Sequence, residues 1–232
     1  MQLFFSEKIE DNLAFFTEEE ARHTHVLRKK IGDILDFVDG KGSIYKGEII
    51  DISKKQCTLS ILEHTPSYNE RKFRLHIAIA PTKNINRFEW FLEKATEIGI
   101  EQITPLLCDR SERKKIRTDR LNKILLSAMK QSIKASLPQL NELTDFRDFI
   151  QTQNSDSKFI AYCNDDDLKN LKEEYSNGEN VTILIGPEGD FSQKEVELAI
   201  QNGFRGISLG KSRLRTETAG IVACHTISIC ND

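Results

Sequence analysis

Over the first 65 residues the apolar positions fall in short runs at the spacing of extended chain: Leu3–Phe5, Ile34–Val38, Ser43–Ile52 and Cys57–Leu62. Turn-forming stretches separate them, notably Asp39-Gly40-Lys41-Gly42 and Ser53-Lys54-Lys55. One helix is predicted from Thr17, whose side chain can cap a Thr-x-x-Glu box ending at Glu20. This half reads as a small β-barrel. A polar stretch, 65–72, follows as a linker, and then the period changes. Strands are predicted at Phe73–Pro81, Gln102–Leu107, Lys158–Cys163, Val181–Ile185 and Gly206–Leu209. Between them lie helical patterns. Ile85–Gly99 carries Phe88, Phe91, Leu92, Ala95 and Ile98 on one face and Gly99 at its end. Thr118–Ala135 halts before Pro138, Ser192–Asn202 opens on a Ser192/Glu195 capping box, and a last helix starts near Arg215. Strands alternating with helices indicate an α/β layer. The expected domains are 1–70 and 71–232.

Composition narrows the class. Of 232 residues, 38% are hydrophobic and 30% charged, as in an ordinary globular protein. No apolar run reaches the roughly 20 residues of a membrane span. The first residues, Met-Gln-Leu-Phe-Phe-Ser-Glu, lack the basic and apolar regions of a secretory signal. The five cysteines form no C-x-x-C pair and no zinc-spaced cluster, so no metal is expected. Cys57, Cys163, Cys224 and Cys230 lie in apolar patterns and read as core residues of a reduced, cytoplasmic protein.

The net charge of −3 conceals an asymmetry. Basic residues crowd 110–134, among them Arg110, Arg113, Lys114, Lys115, Arg117, Arg120, Lys123, Lys130 and Lys134, opposed only by Glu112 and Asp119. Acids dominate 141–197, including Asp165-Asp166-Asp167. A basic block can be a solvated face or a phosphate-facing surface, and charge alone does not separate the two.

Two stretches carry candidate chemistry. The first, Val181-Thr-Ile-Leu-Ile-Gly-Pro-Glu-Gly-Asp-Phe-Ser-Gln-Lys-Glu195, is a strand, a glycine-bracketed turn and a helix start. It lacks the spacing and lysine of a phosphate loop and the G-x-G-x-x-G of a dinucleotide site. Pro187 removes a donor, and Glu188 and Asp190 would repel phosphate. The turn therefore suits a flat, neutral or cationic ligand held by backbone groups, such as S-adenosylmethionine. Otherwise its glycines serve only backbone geometry. The second stretch, Ile207-Ser-Leu-Gly-Lys-Ser-Arg-Leu-Arg-Thr-Glu-Thr-Ala219, sets Arg213 and Arg215 between a glycine turn and a helix start. Guanidinium groups there can grip phosphate or simply face solvent.

Ile185-Gly-Pro-Glu-Gly189 together with Leu209-Gly210 and Leu214-Arg-Thr-Glu-Thr-Ala219 resembles the 16S ribosomal RNA uridine N3-methyltransferases, of the SPOUT class of knotted enzymes. Val26-Leu27-Arg28 with Gly32-Asp33, Glu93-Lys-Ala-Thr-Glu-Ile-Gly99, and Gln131-Ser132 ahead of Pro138 match in the same order. Asp190 stands where that family usually has a second glycine, and Ser212 where it usually has arginine. The resemblance implies a PUA-like barrel that binds RNA, then a SPOUT α/β domain with a deep C-terminal trefoil knot. It also implies a homodimer acting on 16S ribosomal RNA or the small ribosomal subunit. On these matches the cofactor S-adenosylmethionine is held by Leu184, Ile185, Gly186, Pro187, Glu188, Gly189, Leu209, Gly210, Ser212, Leu214, Arg215 and Thr216. Arg215 and Glu217 are the catalytic candidates. Arg28, Lys29, Arg110, Arg113, Lys114, Lys115 and Arg213 are the expected RNA contacts. The rival readings are methylation of another RNA, a non-catalytic RNA-binding module, and an enzyme for a different nucleotide.

Overall fold

The computed structural model describes residues 2–163 and 167–232; Asp165 and Asp166 of the acidic run lie outside the described residues. The chain divides into two compact units, 1–70 with 126–137, and 71–125 with 138–232.

In the first unit the strands are β1 (Leu3–Phe5), β2 (Lys8–Glu10), β3 (Leu13–Phe16), β4 (Ile34–Val38), β5 (Ile44–Ile52) and β6 (Cys57–Thr65), with helix α1 (Glu18–Val26). They form one six-stranded sheet in the order β1-β4-β5-β6-β3-β2. Only β1–β4 is parallel. Where a barrel is expected, β1 and β2 are the ends of the ladder. Alternation along β1 sorts its side chains: Phe4 joins Phe16, Phe37 and Leu59 in one cluster, while Leu3 and Phe5 join Met129 and Ala135 in another. The β2–β3 hairpin was not expected. Its turn is Asp11-Asn12, both left-handed at φ 50 and 63, which serves as a two-residue turn without glycine. Thr17 caps α1 by accepting from the Glu20 amide, but the Glu20 carboxylate does not close the capping box and instead meets Lys130.

The second unit begins with β7 (Leu75–Ile79), α2 (Ile85–Ile98), β8 (Gln102–Leu107) and α3 (Thr118–Gln131), the last divided between the units. It continues through β9 (Gln139–Leu140), β10 (Thr144–Asp145), α4 (Phe146–Gln151), β11 (Ser157–Ala161) and α5 (Leu171–Glu174). It ends with β12 (Val181–Ile185), α6 (Gln193–Gln201), β13 (Arg205–Ile207) and α7 (Thr216–Asn231). The sheet runs β10-β8-β7-β12-β11-β13, with β9 beside β8, and every pairing is parallel. Helices on both faces require strands apolar throughout, and all five residues of β7 and of β12 are buried. On one face Ala78 and Ala80 pack with Phe146, Phe149, Leu184 and Phe191. On the other, α7 lies on α2 and β7, so close at Gly220 that a Cβ there would stand 2.7 Å from the Phe91 ring.

The α3 helix is shorter than the predicted 118–135. Ile133 turns left-handed at φ 55, and the Lys134 amide reaches back to Met129 O, which closes the last turn. Among the cysteines Cys57 and Cys224 are buried as expected, but Cys163 is exposed and Cys108, left out of the expected core, is buried. The Ser192/Glu195 capping box is complete.

Candidate active site

Register decides where the site stands. Ile79 of β7, Ala161 of β11, Ile185 of β12 and Ile207 of β13 are in line across the parallel sheet. The loops that follow these strands therefore leave from one edge. The order of β7, β12 and β11 departs from chain order, and ligands of open α/β sheets bind outside the carboxyl ends of strands at such a switch point.

The loop after β12 is built by specific ties. Asp190 N–H donates to Pro187 O at 2.9 Å, closing a turn over 187–190. Asp190 is left-handed at φ 63, a conformation that aspartate tolerates when its side chain bonds locally. Its two carboxylate oxygens accept from Phe191 N (2.8 Å) and Cys163 N (3.1 Å). Glu188 Oε1 accepts from Lys83 N at 2.9 Å, fastening this loop to the one after β7. Both carboxylates thus hold backbone amides, a role not anticipated when they were read as charges facing a ligand. Leu184, Ile185 and Pro187 are buried, so any contact they make with a cofactor is through main chain. At Gly186 a Cβ would lie 3.1 Å from the ring and the amide nitrogen of Phe191, so a side chain there requires Phe191 to shift.

The second stretch closes on the first. Thr216 Oγ1 donates to Gly186 O at 3.0 Å in a buried setting, so the two motifs, 30 residues apart, meet. Gly210 has φ 122 with open space around it, a conformation that only glycine adopts freely. Leu209 and Leu214 are half-buried, while Ser212, Arg213 and Arg215 are exposed. Arg215 is the N-cap of α7 and makes no side-chain cap bond. Glu217 is 7% exposed. Its Oε1 is 3.8 Å from Arg87 Nε, and its Oε2 is buried without a hydrogen-bond partner. Beside it a groove of about 560 Å³ runs between the α2 residues Asn86, Arg87 and Trp90 and the 213–218 segment.

The basic residues divide. Arg110 and Arg113, expected to meet RNA, are engaged within the protein. Arg110 donates to Gly189 O (2.8 Å) and Phe191 O (3.3 Å), and Arg113 to Thr82 O (3.0 Å) and Lys83 O (2.6 Å). They clamp the loops after β12 and β7. Arg120 pairs with Glu89, and Lys130 with Glu20. Arg28, Lys114 and Lys115 are exposed and Lys29 half-buried. Among the described residues no group of three or more His, Cys, Asp or Glu side chains could hold a metal ion.

An RNA methyltransferase domain model matches residues 69–228, and an RNA methyltransferase PUA domain model matches 16–62. The chain belongs to the RNA methyltransferase family. Within that family it is 32% identical over 232 residues to ribosomal RNA small subunit methyltransferase E of Buchnera aphidicola subsp. Acyrthosiphon pisum, covering 96% of this chain and 90% of that one. A solved structure from Porphyromonas gingivalis, described as a probable rRNA-methyltransferase, is 40% identical with TM-score 0.92 and covers 99% of both chains. A Legionella pneumophila methyltransferase solved with its cofactor S-adenosylmethionine bound is 26% identical with TM-score 0.88, covering 99% of this chain and 97% of that chain. The RNA methyltransferase match spans the parallel sheet together with residues 126–137 of the first unit, and the PUA match lies within 1–70.

In this member of the RNA methyltransferase family the groove is also lined by α2 residues that the sequence did not single out. Asn86, Arg87 and Trp90 lie off the stripe formed by Phe88, Phe91, Leu92 and Ala95. A tryptophan on the polar side of an amphipathic helix was the available signal.

Proposed function

We propose that this protein transfers a methyl group from S-adenosylmethionine to N3 of a uridine in 16S ribosomal RNA of the small subunit. Its family membership and the small-subunit methyltransferases it is similar to support the reaction class. The Thr216–Gly186 hydrogen bond is the observation that carries the site, because it joins the two motifs at the ligand-binding edge of the sheet. The residues fit that cofactor: a Cβ at Gly186 would crowd Phe191 at 3.1 Å, and Gly210 leaves its surroundings open. Leu184 to Gly189 with Leu209, Gly210, Ser212, Leu214, Arg215 and Thr216 would hold it. When bound, it supplies an electrophilic methyl group.

Uridine N3 lies on the pairing edge, so the base must be unpaired or turned outward before it is reached. Holding N3 in place is mainly a positioning task. Glu217 takes the N3 proton as general base, and its under-satisfied buried carboxylate suits that role. Arg215, exposed at the N-terminus of α7, balances the charge that develops on the pyrimidine. No step calls for a metal. The six-stranded unit, 1–70, acts as a PUA-like RNA-binding domain, and 71–232 as a SPOUT methyltransferase domain with a C-terminal trefoil knot. Arg28, Lys29, Lys114, Lys115 and Arg213 supply phosphate contacts, which should make RNA affinity fall with salt. The protein works as a homodimer in the cytoplasm; among the described residues no helix is long and apolar enough to cross a membrane.

Mapping 3-methyluridine in 16S RNA from cells with and without the gene tests the reading. Loss of one mark is expected, and full retention refutes it. Arg215→Ala should abolish transfer while S-adenosylmethionine still binds by calorimetry; a normal turnover number would remove Arg215 from the mechanism.

A further inference from the structure

We infer that the groove between α2 and the 213–218 segment seats the acceptor base, with Trp90 as its stacking platform and Asn86, Arg87 and Glu217 reading the imide edge of uracil. This rests on the methyl-transfer reading above. Trp90 is 43% exposed, while Phe88 and Phe91 on the same helix are fully buried. Packing of α2 therefore does not account for an indole there. A flat apolar face lining a mainly apolar groove that carries a few polar side chains is suited to stacking a nucleobase, whatever its identity.

Identity comes from the edge. Buried carboxylates normally have their oxygens satisfied. Here Glu217 Oε2 has no partner, and Oε1 stands 3.8 Å from Arg87 Nε, longer than a charge-assisted hydrogen bond. An occupant bringing an N–H donor would complete the carboxylate. The uracil edge is O2, N3–H, O4, a donor between two acceptors. The groove offers the complement: the Glu217 acceptor, with donors from the Asn86 amide and the Arg87 guanidinium beside it. Cytosine would set the unprotonated N3 against the carboxylate. Guanine would set its amino donor among the groove's donors. Such mismatches leave polar groups unpaired, which discriminates more strongly than shape.

Because Trp90 is the only tryptophan in the chain, its fluorescence reports the groove directly. The full chain, saturated with S-adenosylhomocysteine, is titrated with UMP, CMP and GMP. Saturable quenching by UMP is expected, with CMP and GMP weaker by about tenfold or more, as for a lost base-edge pairing. Glu217→Gln, whose amide can donate to cytosine N3, should remove most of the UMP–CMP difference. Equal quenching by all three nucleotides, or by none, overturns the inference.

Methyl transfer to small-subunit RNA gives the second measurement. Trp90→Ala should lower kcat/KM by about tenfold or more, chiefly through KM, as expected for loss of a stacked base. Trp90→Phe should retain most activity, and both variants should bind S-adenosylhomocysteine as the wild type does. An active wild type with an equally active Trp90→Ala refutes the seat and leaves methyl transfer standing. A wild type that transfers no methyl group although UMP still quenches Trp90 refutes the methyl-transfer reading instead.

Discussion

Replacing Gly220 with alanine sets two effects of similar size against each other. In a helix interior alanine is favoured over glycine by about 1 kcal/mol. Against that gain, the new Cβ would lie 2.7 Å and 2.8 Å from two Phe91 ring carbons and 3.0 Å from Ile79 Cδ1. Phe91 and Ile79 are both fully buried, so neither can swing into solvent, and α7 must move away from α2 and β7. Overpacking of this kind costs about 1–3 kcal/mol. The clash wins, and a net loss of about 1 kcal/mol is expected. Urea denaturation should show a lower midpoint with an unchanged slope. In a Phe91→Leu background the substitution should become neutral or stabilising, a coupling of at least about 0.5 kcal/mol. A Gly220→Ala protein more stable than wild type, or strict additivity with Phe91→Leu, would refute the packing argument. The site should feel the change as well, because α7 carries Thr216 and Glu217 at its first turn.

Thr216→Val keeps the shape of the side chain but leaves the buried Gly186 carbonyl without its donor. It should lose about 1–3 kcal/mol in thermal or chemical unfolding, whereas Thr216→Ser loses much less; a loss in Thr216→Ser alone would mean that the methyl group matters rather than the bond. Ile133 is β-branched at φ 55, so Ile133→Gly should stabilise by about 1 kcal/mol as the left-handed strain is relieved, and a lower denaturation midpoint would contradict this. Burial, together with the nearby charge of Arg74, lowers the pKa of His76 from 6.5 to about 4, against an opposing hydrogen bond from Gln153. Between those values the unfolded chain binds a proton that the folded chain does not. Stability is therefore fully present above pH 6.5 and falls as pH drops toward 4, by about 2 kcal/mol between pH 7 and 5. His76→Gln should flatten that part of the stability–pH curve, and an unchanged slope would exclude His76 as its source.

The elements most legible in the sequence were those whose pattern and punctuation agreed. The bounds of β8 and β12 coincide with the apolar runs Gln102–Leu107 and Val181–Ile185, and the predicted apolar face of α2 supplies Phe88, Phe91, Leu92 and Ala95 to the core. The β2–β3 hairpin escaped because Asp11-Asn12 carries no glycine, the usual mark of such a turn. The six-residue α4 is too short to show a period. At the site, the two motifs could be located but not the ties between distant parts of the chain. The Arg110–Gly189 bond spans 79 residues and the Lys83–Glu188 bond 105. No local pattern distinguishes an arginine that holds a carbonyl from one that awaits a phosphate. Charge in a sequence gives sign and density, and partners come only with the fold.

The loop after β12 is fixed from three sides by Lys83, Cys163 and Arg110. A ligand held there, as proposed above, would meet main chain that these bonds already order. The heat-capacity change of binding should then reflect only the apolar area of the ligand and its groove, without the larger value that accompanies coupled folding. Such a surface also favours discrimination, since a rigid cup cannot reshape itself around the wrong guest.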